Sequence, residues 1–212
     1  SAVRKYLNHY GVKCGNNVII FSNNDDSYET ALSLHDKGVK VKAIIDIRKE
    51  SEGDLVKKCT DLGIKIMWKH TVVKAVGHKK INAAIVMKLS NNNNSVVGDE
   101  IKISCDLLCV SGGYTPAVHL FTQSGGKLAF DEKKFYFYPE KTSLDQLSVG
   151  ACTGIFNLKK IILDTYIKVN AFLKTNIKNE TVVSDYKLGG FENIWLLPSN
   201  KISGKTKSFV DF

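Results

Sequence analysis

Residues 18–48 constrain the fold more than any other stretch: VIIFSNNDDSYETALSLHDKGVKVKAIIDIR. Val18, Ile19, Ile20 and Phe21 form a short apolar run that suits a buried strand and is too short for a helix. The polar residues 22–27 follow as a turn. Tyr28, Ala31, Leu32 and His35 then recur at i, i+3, i+4 and i+7, one face of a helix. Asp26 and Glu29 make the D-x-x-E pattern of a capping box, and Gly38 fits the C′ position that closes a helix. A second apolar run, 41–45, ends in Asp46. Strand, tight turn, helix, strand and terminal acid is the layout of a dinucleotide-binding βαβ unit.

The glycines of that layout are replaced. In G-x-G-x-x-G register the three positions fall on Ser22, Asn24 and Ser27, with Asn23 and Asp25 completing the turn. Asn24 tolerates left-handed backbone, and Ser27 is small enough for close helix–strand packing, so the turn geometry can persist. Its electrostatics differ. Asp25 and Asp26 stand where a pyrophosphate would meet the helix N-terminus. Two like charges ~4 Å apart repel by ~4 kcal/mol at an effective dielectric of about 20. The helix dipole returns only about 0.3–1 kcal/mol. Two readings stand together. In one, Asp46, about 24 residues past the start of the turn, accepts from ribose hydroxyls and favours NAD over NADP. In the other, the turn is a vestigial fold element and Asp46 ends a strand at the surface.

The rest of the chain extends the pattern. A leading helix is expected over 3–10, ended by Gly11. A second crossover helix starts near Asp54, carries Leu55, Cys59 and Leu62 on one side, and stops at Gly63 before a strand at 64–68. Two crossovers joining three strands imply a parallel sheet. Residues 70–76, 80–89 and 100–105 alternate apolar and polar, an antiparallel meander whose asparagine run 91–94 marks a hairpin tip. The apolar run 106–110 returns to the parallel sheet and ends in Ser111, Gly112 and Gly113. Carboxyl ends of strands are where ligands sit in open α/β sheets, which adds Gly112 to the candidate site. Beyond Pro116 come a helical turn at 118–121, alternation at 127–139, a strand at 147–149 running into the small-residue turn 150–154, an amphipathic helix over 158–173, and a loop-like tail from 189 with Trp195 and Pro198. The fold class is α/β: a Rossmann-like parallel sheet with a three-stranded antiparallel meander, plus an incomplete second α/β domain. The boundary is placed near 115, giving domains 1–115 and 116–212.

Composition excludes several function classes. Net charge is +9, but of 30 basic residues only Arg4 and Arg48 are arginine. The lysines are scattered with no aromatic-interleaved groove, so a nucleic-acid partner is not expected. No apolar run approaches the ~18 residues that span a bilayer, so no membrane partner is expected. Five cysteines form no C-x-x-C pair and read as reduced thiols in a cytoplasmic protein. Cys105 and Cys109 are expected to share one strand face with Leu107 as small hydrophobes. The five histidines lack metal-ligand spacing. The chain opens on Ser1-Ala2 rather than methionine and reads as a piece of a longer polypeptide.

Together these residues resemble the pyridine-nucleotide domain of two-dinucleotide flavoproteins. SGGYTP at 111–116 fits that family's linker strand, and SVGACTG at 148–154 fits its final strand, whose turn approaches the first dinucleotide. A narrower resemblance lies in VRKYLNHYGVKCG, FSNNDDSYETA, CDLLCVSGGYTPAVHLFTQSGGKL and the terminal KSFVDF. These are similar to the alpha subunit of heterotetrameric sarcosine oxidase.

The resemblance implies a parent subunit that carries NAD, within a complex that also holds FAD and FMN. That complex demethylates sarcosine oxidatively to glycine, passes the one-carbon unit to tetrahydrofolate and produces hydrogen peroxide. The implied partners are the other subunits of the oxidase, with sarcosine and tetrahydrofolate for the whole complex. The resemblance also makes Gly150 and Ala151 half of a cofactor pocket whose main motif lies in a first nucleotide domain outside these residues. No catalytic residue can be named in the chain, and the chain alone is expected to be inactive. A contrasting reading is a structural module with an exposed apolar patch around Phe135, Phe137, Tyr138 and the Ile161/Tyr166 helix.

Overall fold

The chain divides into two units, Ser1–Gly113 with Gly190–Phe212, and Tyr114–Gly189. The computed structural model describes residues 2–177, 190, 192, 197 and 198. In chain order the first unit is α1 (Ala2–Tyr10), β1 (Asn17–Ser22), α2 (Asp26–Asp36), β2 (Lys40–Asp46), α3 (Asp54–Asp61), β3 (Ile66–Trp68), β4 (His70–Gly77), β5 (Ile81–Leu89), β6 (Val96–Ser104) and β7 (Leu107–Ser111).

β1 lies at the heart of a four-stranded parallel sheet of order β3-β2-β1-β7. Its register brings Ser22 level with Asp46 on one side and Ser111 on the other. The strand is a continuous apolar run because both faces are covered. Val18 and Ile20 pack with Tyr28, Ala31 and Leu34 of α2, Cys59 of α3 and Cys109. Ile19 and Phe21, pointing the other way at period two, pack with Ile45, Met67, Ala84 and Val86. β4, β5 and β6 form the antiparallel meander of that second layer. Burying each such aliphatic side chain contributes about 1.5–3 kcal/mol before conformational entropy is set against it.

Helix ends follow the sequence in one respect and depart from it in another. Gly38 and Gly63 take the left-handed backbone, φ 70° and 72°, that lets each strand follow its helix at once. The capping box does not form. Asp25 is the N-cap of α2 without a side-chain cap bond, and Asp26 instead accepts from Arg4 Nη1 at 2.7 Å. An arginine on α1 outcompetes the backbone amides for that carboxylate, because a charged donor makes the stronger bond. Asn24 does not use left-handed backbone; among described non-glycine residues only Lys69, Asn93, Phe135 and Lys174 do. Cys105 and Cys109 do not share a face. Cys105 precedes β7 and belongs to the meander-side cluster, whereas Cys109 packs on the helix side with Leu107.

The second unit contains α4 (His119–Gln123), a β8–β9 hairpin (Lys127–Asp131 with Tyr136–Lys141), a 3-10 turn at Gly150–Thr153 and α5 (Leu158–Leu173). The strand expected at 147–149 is absent among the described residues. Val149 is extended at φ −137° and ψ 158°, but no ladder partner lies beside it. Extended backbone becomes a strand only when paired. Gly154 is required by packing: a Cβ there would collide with the Tyr136 hydroxyl, which donates to the Gly154 carbonyl at 3.1 Å. α5 is capped by Asn157, whose side chain accepts from the Lys160 amide at 3.0 Å, and none of its 16 residues is buried. Of the expected apolar patch, Phe137 is exposed and is joined by Leu163, Ile167 and Phe172. The tail's Trp195 and the terminal KSFVDF lie outside the described residues.

Candidate functional site

The site is the turn at the carboxyl end of β1, flanked by the ends of β2 and β7. Asp46 closes β2 and is completely buried. A carboxylate survives such burial only when its lone pairs are satisfied. Its Oδ1 accepts from the Arg48 backbone amide at 2.9 Å and from Arg48 Nε at 3.0 Å. Its Oδ2 accepts from Arg48 Nη2 and from the Tyr28 hydroxyl, both at 2.8 Å. Tyr28 reaches it because Ser27 and the first turn of α2 set the ring over the end of β2, where it stacks on Trp68 at 6.2 Å and lies under the Arg48 guanidinium.

Burial first, and then the Asp46 charge, pushes the Tyr28 phenol well above its ordinary range. For Arg48, burial pulls toward the neutral form, but hydrogen bonds and charge from Asp46, and then from Asp25, outweigh it and hold the guanidinium charged.

The turn residues satisfy one another. Ser22 Oγ and Ser27 Oγ both donate to the Asn24 carbonyl, at 2.9 and 2.8 Å. Asn24 Nδ2 donates to the Ser111 carbonyl at 3.1 Å and to Ser111 Oγ at 2.9 Å, joining the ends of β1 and β7. Asn23 Nδ2 donates to the Gly112 carbonyl at 2.9 Å. Side-chain amides and hydroxyls thus hold, by hydrogen bonds, a turn that glycines hold by conformational freedom elsewhere.

The acids at the helix N-terminus are not left to repel. Asp25 Oδ1 lies 2.7 Å from Arg48 Nη1, and Asp26 and Glu29 lie 2.7 and 3.2 Å from Arg4 Nη1. The chain's two arginines both serve this turn. The repulsion expected from the sequence is therefore largely cancelled locally.

A segment far along the chain completes the network. The Asp25 amide donates to the Gly190 carbonyl at 3.1 Å, and the Gly190 amide donates back to Asp25 Oδ2 at 2.7 Å. Arg48 Nη1 donates to the same Gly190 carbonyl at 2.8 Å. The Glu192 amide donates to the Asn23 carbonyl at 2.9 Å, and Asn23 Nδ2 donates to the Glu192 carbonyl at 2.8 Å.

A dinucleotide at this turn would draw on the amides around the helix N-terminus, that of Asp25 among them, for its pyrophosphate and on a free carboxylate for its ribose. The Asp25 amide is engaged by Gly190, and the Asp46 carboxylate by Tyr28 and Arg48. In this arrangement the residues do not fit NAD.

The structure brings Ser22, Asn23, Asn24, Asp25, Ser27, Asp46 and Gly112 together in one unit. Gly150 and Ala151 lie in the other unit, in the 3-10 turn, where Gly150 is buried with φ 79°. Sequence reasoning missed Tyr28, Arg48, Ser111, Gly190 and Glu192. Arg48 carried a usable signal: one of two arginines, two residues beyond the strand-ending acid. Gly190 and Glu192 carried none. Among the described residues no cluster of three or more His, Cys, Asp or Glu could hold a metal, and no helix is long and apolar enough to cross a membrane.

The sheet order and the meander define the class: a Rossmann-type α/β fold. The crystal structure of T. acidophilum thioredoxin reductase shares it with a TM-score of 0.55 at 19% identity, over 80% of this chain and 54% of that one. The particular relationship comes from sequence: the chain is a relative of sarcosine oxidase subunit alpha. It is 30% identical to that of Corynebacterium sp. (strain P-1) over 220 residues, 99% of this chain and 22% of the relative. It is 32% identical to that of Rhizobium meliloti (strain 1021) over 218 residues, 100% of this chain and 20% of the relative. The chain thus spans about a fifth of the length of these curated relatives. No protein-family model matches it.

Proposed function

We propose that this chain is a segment of a sarcosine oxidase alpha-type subunit, and that its Rossmann-like unit supplies a sealed scaffold rather than a cofactor site. The observation that carries this reading is the Asp46 carboxylate, buried and fully engaged by Arg48 and Tyr28. The reaction of the whole complex is the oxidative demethylation of sarcosine to glycine, with the one-carbon unit passed to tetrahydrofolate and hydrogen peroxide released. FAD and FMN supply the electron-accepting chemistry there and, like NAD, are held by parts of the complex other than the turn at Asn23–Asn24. Gly150 and Ala151 contribute to a cofactor pocket only when a further nucleotide domain lies beside them. The partners are the other oxidase subunits, and the protein works in the cytoplasm.

The test has two readouts. The purified chain, supplied with sarcosine, oxygen, tetrahydrofolate, FAD and FMN, is expected to release no hydrogen peroxide. Co-expressed with the remaining oxidase subunits and parts of the alpha subunit, it is expected to co-purify with them. Amine oxidation by the chain alone, or failure to associate with any of them, would overturn the reading.

A further inference from the structure

We propose that the backbone at Gly190 and Glu192 is a built-in strap that covers the turn at the end of β1 by standing in for a ligand, so that strap and dinucleotide exclude one another. The inference rests on the sealed-scaffold reading above and supplies its cause. The Gly190 carbonyl accepts from a helix N-terminal amide and from an arginine, Asp25 N at 3.1 Å and Arg48 Nη1 at 2.8 Å. That donor pair suits a phosphate oxygen. Here a neutral peptide oxygen takes it, and the peptide N–H on the other side of Gly190 donates to Asp25 Oδ2. A peptide offers both an acceptor and a donor, whereas a phosphate diester offers acceptors alone. Asp25 Oδ2, an acceptor that takes a donor here, is thus suited to a peptide.

The second anchor follows the same logic. Asn23 exchanges two hydrogen bonds with Glu192. Glu192 Oε1 also accepts from Asn93 Nδ2 at 3.1 Å, which ties the strap to the meander's hairpin tip. Leu197 packs against the cluster of Ile19, Phe21 and Ile45. The strap therefore touches the turn, the tip and the core of one unit.

Backbone recognition separates two substitutions at one position. A Cβ on Gly190 would meet Arg48 Nη1 at 3.6 Å and Asp25 Oδ2 at 3.8 Å, ordinary contacts that Gly190→Ala can accept. Gly190→Pro removes the N–H that Asp25 receives.

The experiment is amide hydrogen exchange on the full chain, with calorimetry using NAD. The Asp25 and Glu192 amides are expected to be protected in the wild type and in Gly190→Ala, and to lose about tenfold or more of that protection in Gly190→Pro. A chain lacking residues 190–212, checked for folding by circular dichroism, is expected to take up NAD at least about tenfold more tightly than the wild type. An unprotected Asp25 amide in a wild-type chain that takes no NAD sinks the strap and leaves the sealed scaffold to other causes. Equal protection in Gly190→Pro and Gly190→Ala also sinks it. NAD taken up by the wild-type chain with release of the Glu192 amide overturns the sealed scaffold while supporting the competition.

Discussion

Arg48 Nη2 and Asp46 Oδ2 lie 2.8 Å apart, two residues from each other on the same strand end and both out of water. Removing one member of a buried pair leaves an uncompensated charge, which costs about 3–5 kcal/mol, whereas replacing both with apolar residues is often close to neutral. Arg48→Met should therefore lower unfolding free energy in urea by about 3–5 kcal/mol. Asp46→Leu combined with Arg48→Met should recover most of it. A single-variant loss below about 1 kcal/mol would show that the pair is not buried in solution.

Tyr28 gives the same carboxylate a third side-chain anchor, 18 residues away in sequence. Tyr28→Phe keeps the ring on Trp68 and removes only the hydroxyl. Hydrogen bonds to charged groups contribute about 1.5–3 kcal/mol, and the loss should fall there. In alkaline difference spectra of the native wild type, one tyrosine should resist ionisation after the exposed ones have titrated, and that resistant step should vanish in Tyr28→Phe.

Two buried thiols set a pH dependence. Burial pushes Cys59 and Cys109 each up to about 11. An unfolded thiol titrates near 8.5. Below that value the thiols are neutral in both states and their contribution is intact. Between about 8.5 and 11 the unfolded chain releases protons that the native chain keeps, so stability falls as pH rises, by up to about 1.4 kcal/mol per unit for each thiol. Urea midpoints across this window should drop more steeply for the wild type than for Cys59→Ala with Cys109→Ala. Parallel slopes would contradict the burial of these thiols.

Arg4 is a weaker tie. It meets Asp26 and Glu29 with side chains 22–35% exposed, so water and salt screen the pairs. Arg4→Ala should cost at most about 1 kcal/mol, and the difference from wild type should shrink in high salt. A salt-independent loss would point instead to packing of the arginine stem on α2.

Much of the fold was legible because period carries it. The unbroken apolar run Val18–Ile19–Ile20–Phe21 announced a strand buried on both faces, and the runs separated by turns announced a meander, although β5 is buried at five consecutive positions rather than alternating. The return of 106–110 to the sheet was legible for the same reason, since β7 pairs parallel with β1. The strand at 147–149 was misread because extended propensity says nothing about a partner. At the site, the replaced glycines and the acids of the turn could be read directly. What satisfies them could not: Arg48 and Gly190 are 142 residues apart, and a backbone carbonyl leaves no mark in a sequence. The capping box failed for a related reason, because Arg4 sits on another helix.

The most direct measurement is isothermal titration of NAD into the full chain at neutral pH. A turn whose amide is held by Gly190 and whose carboxylate is held by Arg48 and Tyr28 should give no saturable heat at millimolar nucleotide. Saturable binding at micromolar concentrations, weakened by Asp46→Asn, would contradict it.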